Sequence, residues 1–287
     1  MTITYQYRCP KCNTYLGDCE ICTSCTDVKQ EQVKQNYVSS TPDNPYWSVR
    51  SAFLMWGLSV FLIIAASLLS SFIWIAGKSM LGHKVEIQGL IKDQNYILFF
   101  IFATFIAQLI TIAATYNMVT LDGKSFFDAV GWYWHPKFKV WHASSLTILV
   151  IAISIALSQI FPNQETDLDK LLQVGMSVRI ATAFVAIVGA PIAEEIIYRG
   201  ILYSALKKRY GMWPAIFFVS LLFLAVHVPQ YWPAQGILIS LFTLSFFLTT
   251  VRAYTRSLLP SYAIHLIFNF INGLGIIVEG LVNTHSP

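Results

Sequence analysis

Residues 177–206 read SVRIATAFVAIVGAPIAEEIIYRGILYSAL. As a helix rising about 1.5 Å per residue, this stretch is long enough to cross roughly 30 Å of hydrocarbon. It is apolar around most of its circumference, yet Glu194, Glu195 and Arg199 sit together beyond the Gly189-Ala190-Pro191 break. Working outward, further apolar stretches lie at 47–77, 95–119, 143–161, 212–228, 235–251 and 257–282. The fold class expected is therefore an all-α polytopic membrane bundle of about seven spans, with a small N-terminal cytoplasmic head. The stretch 212–228 is the shortest, bounded by Gly211 and Pro229.

Composition excludes the soluble alternatives. The chain has 287 residues, 55% of them hydrophobic and 12% charged, against roughly 25% charged in an ordinary globular domain. Nine of the 34 charged side chains fall in residues 1–46. The net charge of +4 reads as membrane topology and not as nucleic-acid binding. With the N-terminus inside, thirteen Lys and Arg residues fall in cytoplasmic segments and five outside, which by the positive-inside rule places the N-terminus in the cytoplasm of a multi-pass plasma-membrane protein. The first 46 residues lack an apolar h-region, so no cleaved leader is expected. The tryptophan-rich segment 120–142 suits the headgroup interface.

All five cysteines lie within residues 9–25. Cys9, Cys12, Cys22 and Cys25 form C-x2-C-x9-C-x2-C, the spacing of a four-thiolate structural zinc site. Cys19 is left over, and with Cys22 it offers an alternative second knuckle. A reducing cytoplasm disfavours disulfides, and so short a segment draws its stability from the metal. The expected organisation is a zinc-ribbon head at 1–30, a linker at 31–46 and a transmembrane body at 47–287. A four-cysteine site leaves no open coordination position for catalysis, so the ribbon is expected to be a binding or stabilising module, with a protein as its possible partner.

In the body, ionisable groups at membrane depth are functional candidates. Glu195 and Arg199, at i and i+4 with the acid first, suit an ion pair on one face, leaving Glu194 to point elsewhere. His227 closes the fifth span. In the seventh, His265 and Asn269 share a face, and Asn272 extends the stripe. Measured from the cytoplasmic boundaries, Glu194, His227, His265 and Asn269 lie about 20, 22, 14 and 20 Å deep. Three helices thus carry polar groups to a similar level. A carboxylate and a histidine can activate water, and a histidine with an asparagine can hold an oxyanion; together they suit amide hydrolysis. Glutamate with two histidines could alternatively hold a catalytic metal. The same groups could also serve a proton-coupled transporter as a relay, although no internal repeat of the carrier kind is visible.

The ordered set Glu194-Glu195-x-x-x-Arg199, Phe223-x-x-x-His227 and His265-x-x-x-Asn269, with Pro191 before the acids, resembles the CPBP family of intramembrane proteases. That family includes type II CAAX prenyl endopeptidases, bacteriocin-processing proteins and abortive-infection proteins. The resemblance covers about residues 175–275. It implies an intramembrane endopeptidase acting on a membrane-associated peptide or protein. In it Glu194 and His227 would activate water, His265 and Asn269 would stabilise the oxyanion, and Glu195 with Arg199 would hold the site's shape. Family members have been described both as metalloproteases and as metal-free glutamate proteases; the division into base and oxyanion groups leans towards glutamate-activated water. The ribbon at 9–25 is an addition to the family core.

Overall fold

The computed structural model describes residues 42–284, apart from 122, 124 and 163. The cysteine-rich head, with the zinc ligands expected at Cys9, Cys12, Cys22 and Cys25, lies outside the described residues. Among the described residues, seven helices are long and apolar enough to cross a membrane. They are α1 (Val49–Met80), α2 (Gln94–Thr120), α3 (Val140–Ile160), α4 (Met176–Tyr210), α5 (Met212–Tyr231), α6 (Gln235–Thr255) and α7 (Leu259–Thr284). Short helices at Ile87–Leu90, Phe126–Val130 and Asp167–Leu172 occupy the connections.

Helix ends follow local chemistry. Ser48 accepts from the Ser51 N–H at the start of α1, and Asp93 caps α2 by accepting from Asn95 and Tyr96, satisfying donors that have no partner within the helix. Gly211, at φ 89°, makes the turn between α4 and α5. Helix α5 runs on through Pro229 to Tyr231, three residues beyond the stretch expected from sequence. A proline there forfeits one hydrogen bond in the last turn, a smaller loss than it would cause mid-helix.

Helix α1 is apolar all round and carries exposed Leu54, Phe61, Leu68 and Phe72, as expected of a surface that faces lipid. It packs on α2, while α5 packs on α6, and α7 lies against α3, α6 and the first part of α4. The main core joins α4 and α5 through fully buried Ile201, Leu202, Ile216, Val219 and Phe223. Close approach needs small residues, as two interhelical glycines show. A Cβ on Gly273 of α7 would lie 2.7 Å from Ile187 Cδ1, and one on Gly189 of α4 would lie 2.6 Å from Gln108 Oε1 and 2.9 Å from the Phe105 ring.

Residues 42–47, read as the end of the linker and the start of the first span, are bound to the body. Asp43 pairs with Lys207 (2.9 Å), Arg256 (3.2 Å) and the fully buried Arg252 (3.5 Å). Arg252 also donates to the Pro42 carbonyl and Lys208 to that of Pro45. The Tyr46 hydroxyl bonds the carbonyls of Met118 and Val119, and Trp47 Nε1–H donates to the Ile201 carbonyl at 3.1 Å.

Substituting Gly189→Val should lower stability by about 1–3 kcal/mol through overpacking between α2 and α4. Thermal unfolding in detergent checks this.

Candidate active site

Helix α4 is not a regular α-helix. Its turns widen to π geometry at Val185–Gly189 and again at Glu195–Leu202, with a single α segment, Ala190–Glu194, between them. Such bulges recur at functional sites. The sequence predicted a break near Gly189-Ala190-Pro191, and the structure shows how it is satisfied. The Ala190 N–H bonds the Val185 carbonyl five residues back. In that register the next donor would be residue 191, which is proline and has no N–H. The Ala186 carbonyl instead accepts from Asn269 Nδ2 at 2.7 Å. In the second widened segment the Ile201 carbonyl accepts from Trp47 and from the Ser204 hydroxyl at 3.0 Å. Backbone groups released in lipid must find such partners.

Glu195 is fully buried. Its carboxylate faces Arg199 NH1 at 3.2 Å, accepts from the Ser261 hydroxyl at 2.7 Å and from His265 Nδ1–H at 3.0 Å. Arg199, also fully buried, donates from Nε to Thr249 Oγ1 and from NH2 to the hydroxyl and carbonyl of Ser245. Its guanidinium lies 4.9 Å from the centre of the Phe223 ring, a cation–π contact. The expected ion pair is therefore present, built on a widened turn and not on regular α spacing.

Glu194 faces the other way and keeps 23% of its side chain exposed. Its Oε2 lies 3.6 Å from His265 Nε2, and its Oε1 lies 3.9 Å from His227 Nε2. His227 Nδ1 is 2.6 Å from the Phe223 carbonyl. A carbonyl only accepts, so this contact puts the proton on Nδ1 and directs the Nε2 lone pair towards Glu194. The Glu195 carboxylate imposes the same tautomer on His265. Two imidazole Nε2 atoms thus face one carboxylate, each too far for a direct hydrogen bond and each at a distance that a water molecule could bridge.

Of the sequence candidates, Glu194, His227 and His265 come together, and Glu195 with Arg199 lies directly behind His265. Asn269 is one turn further along α7, with one amide hydrogen committed to α4. Asn272 bonds the Phe268 carbonyl of its own helix, so in this structure its amide makes no bridge between helices. Sequence reasoning missed Ser261, Ser245 and Thr249. The spacing held a signal for each: Ser261 precedes His265 by four residues, and Ser245 and Thr249 form an i, i+4 hydroxyl stripe on α6. Among the described residues, no group of three or more His, Cys, Asp or Glu side chains is arranged to hold a metal ion.

Removing one partner of a buried pair strands the other charge. Arg199→Met should destabilise the protein by about 3–5 kcal/mol, and adding Glu195→Gln should recover much of that loss. Unfolding midpoints of the single and double variants check this.

Residues 176–271, about a third of the chain, match a family model described as type II CAAX prenyl endopeptidase Rce1-like. No curated protein and no solved structure gives a match. The matched region contains Glu194, Glu195, Arg199, His227, Ser245, Thr249, Ser261, His265 and Asn269, but neither Trp47 nor Asn272, and it is similar in kind to membrane endopeptidases.

Proposed function

We propose that the protein is an intramembrane endopeptidase that hydrolyses a peptide bond of a membrane-associated peptide or protein. The observation that carries this reading is Glu194, held in a widened membrane helix with the Nε2 atoms of His227 and His265 each within 4 Å of its carboxylate. The similarity of residues 176–271 to a peptidase family favours hydrolysis over a transporter's proton relay.

In the proposed reaction Glu194 takes one proton from a water whose other hydrogen is accepted by His227 Nε2, and the water oxygen attacks the scissile carbonyl carbon. The oxyanion that forms accepts from His265 Nε2 and from the second amide hydrogen of Asn269, the first being committed to Ala186. Donation by His265 requires a proton on Nε2, and Glu194 is the adjacent group that can deliver one. Glu195 behind the ring holds its orientation and stabilises the imidazolium, as a buried carboxylate does behind other catalytic histidines. The proton then passes to the leaving amine. The N-terminus is assigned to the cytoplasm, and the head to a structural zinc held by Cys9, Cys12, Cys22 and Cys25.

A quenched-fluorescent peptide ending in a prenylated cysteine motif, presented in proteoliposomes, is the first substrate to test. Glu194→Gln and His227→Ala should lower cleavage by about 10²–10⁴-fold. His265→Ala and Asn269→Ala should lower it by about 10²–10³-fold. Each variant should still insert and elute as the wild type does. Wild-type rates from Glu194→Gln would sink the mechanism.

The full chain should bind one zinc per molecule. A Cys9→Ser, Cys22→Ser double variant should lose that zinc and still cleave, with metal content measured by elemental analysis alongside activity.

A further inference from the structure

The end of the bundle where α4 and α6 finish carries more positive charge than the acid beside it balances. Asp43 is approached by Lys207, Arg252 and Arg256, so one carboxylate faces three cations, and Lys208 and Arg209 adjoin them in sequence. Arg252 is fully buried and turns NH1 and NH2 inward to Asp43 and Pro42. Lys207 and Arg256 are different. Both contact the same oxygen, Asp43 Oδ2, so their nitrogens are near enough for one tetrahedral anion to touch both. Arg256 uses only Nε there and leaves a side chain that is 74% exposed.

The backbone at Arg256 is a second, independent observation. It has φ 55° at the C-terminus of α6, a left-handed position that usually holds glycine or asparagine. The conformation is held by its N–H on the Arg252 carbonyl and by the Tyr133 hydroxyl on its own carbonyl. A strained position that keeps an arginine, and is fixed from both sides, points to a use for that side chain. The surroundings are those of a headgroup layer: exposed Tyr133, Tyr210, Trp213 and Tyr254 lie close in sequence to the ends of the spans, where aromatic side chains favour the interface.

We propose that this end of the bundle binds the phosphate of an anionic phospholipid headgroup between Arg256 and Lys207. Asp43 acts as the fixed counter-ion that keeps the cations gathered, and Lys208 lies at the edge of the site. The unspent N–H donors of Arg256 and Lys207 meet the phosphate oxygens, for which a guanidinium fork is well shaped. The two unbalanced positive charges favour an anionic lipid over a zwitterionic one. This inference stands independently of the peptidase reading.

The test uses the full chain purified from bilayers of phosphatidylcholine mixed with phosphatidylglycerol, with co-purifying lipid counted by mass spectrometry. Wild type should retain phosphatidylglycerol roughly 10- to 30-fold above its share of the bilayer, the factor expected of two surface cations. Arg256→Gln with Lys207→Gln should lose the enrichment. Lys78→Gln with Lys84→Gln, at the opposite end of α1, should keep it. Asp43→Asn should increase it, a change of sign that general damage to the fold would not produce. Equal retention of the two lipids by wild type would overturn the proposal, as would equal loss in the Lys78, Lys84 variant. Stabilisation by inorganic phosphate without lipid preference would overturn the assignment to a headgroup.

Discussion

Everything in the middle of this bundle is arranged around one ionised carboxylate that has no access to water. Glu195 is fully buried in a protein whose outer faces are aliphatic, where an unpaired charge costs several kcal/mol. Four helices answer it. Helix α4 supplies Arg199, α7 supplies Ser261 and His265, and α6 supplies the hydroxyls that take up the rest of the guanidinium, while the Phe223 ring of α5 covers its face. The result is a polar cluster whose members restrict one another. It fixes the rotation of α7 relative to α4, and with it the ring plane of His265. Glu194, one residue away, escapes this saturation and is left with two imidazole nitrogens at distances that suit a reactant between them.

The two widened segments of α4 make that division possible. In lipid, a helix that departs from its regular ladder must find new partners for the groups it releases. The partners here come from other helices: Asn269 reaches the Ala186 carbonyl, which proline at 191 cannot serve, and Trp47 reaches Ile201. The asparagine read from the sequence as an oxyanion group thus serves the backbone in the structure. Its primary amide has two hydrogens, and this bond uses one of them. Gly273 allows α7 to come close enough to the widened turn for this reach.

Much of this was legible in the sequence, for physical reasons that can be named. Spans show because every residue facing lipid must be apolar, so α1 to α7 emerge as uninterrupted runs. The Glu195–Arg199 pair shows because charges are scarce enough in the body for each to be noticed. Glu194, His227 and His265 were brought to one level by helical rise alone. The hydroxyls of Ser261, Ser245 and Thr249 were not seen, because serine and threonine are common in membrane helices and most return their hydrogen to their own backbone, as Thr111 and Ser220 do here. The widened turns were hidden as well. Proline signals a break, but the register on either side depends on which neighbour offers a donor, a tertiary fact. Asp43 was counted with the charged head, since nothing local distinguishes a carboxylate that docks onto α4 and α6 from one that stays in water.

The hydrogen bond from Trp47 to Ile201 joins residues 154 positions apart and places the chain leaving the cysteine-rich segment in mechanical series with the helix that carries both glutamates. A boundary drawn by composition at residue 46 cuts through that series: Asp43 and Tyr46 fall on one side of it, Trp47 on the other. Physically, residues 42–47 belong to α4 as much as its own turns do. A pull on Asp43 or Trp47 is therefore delivered to α4 directly, through Lys207 and Ile201, without passing along α1.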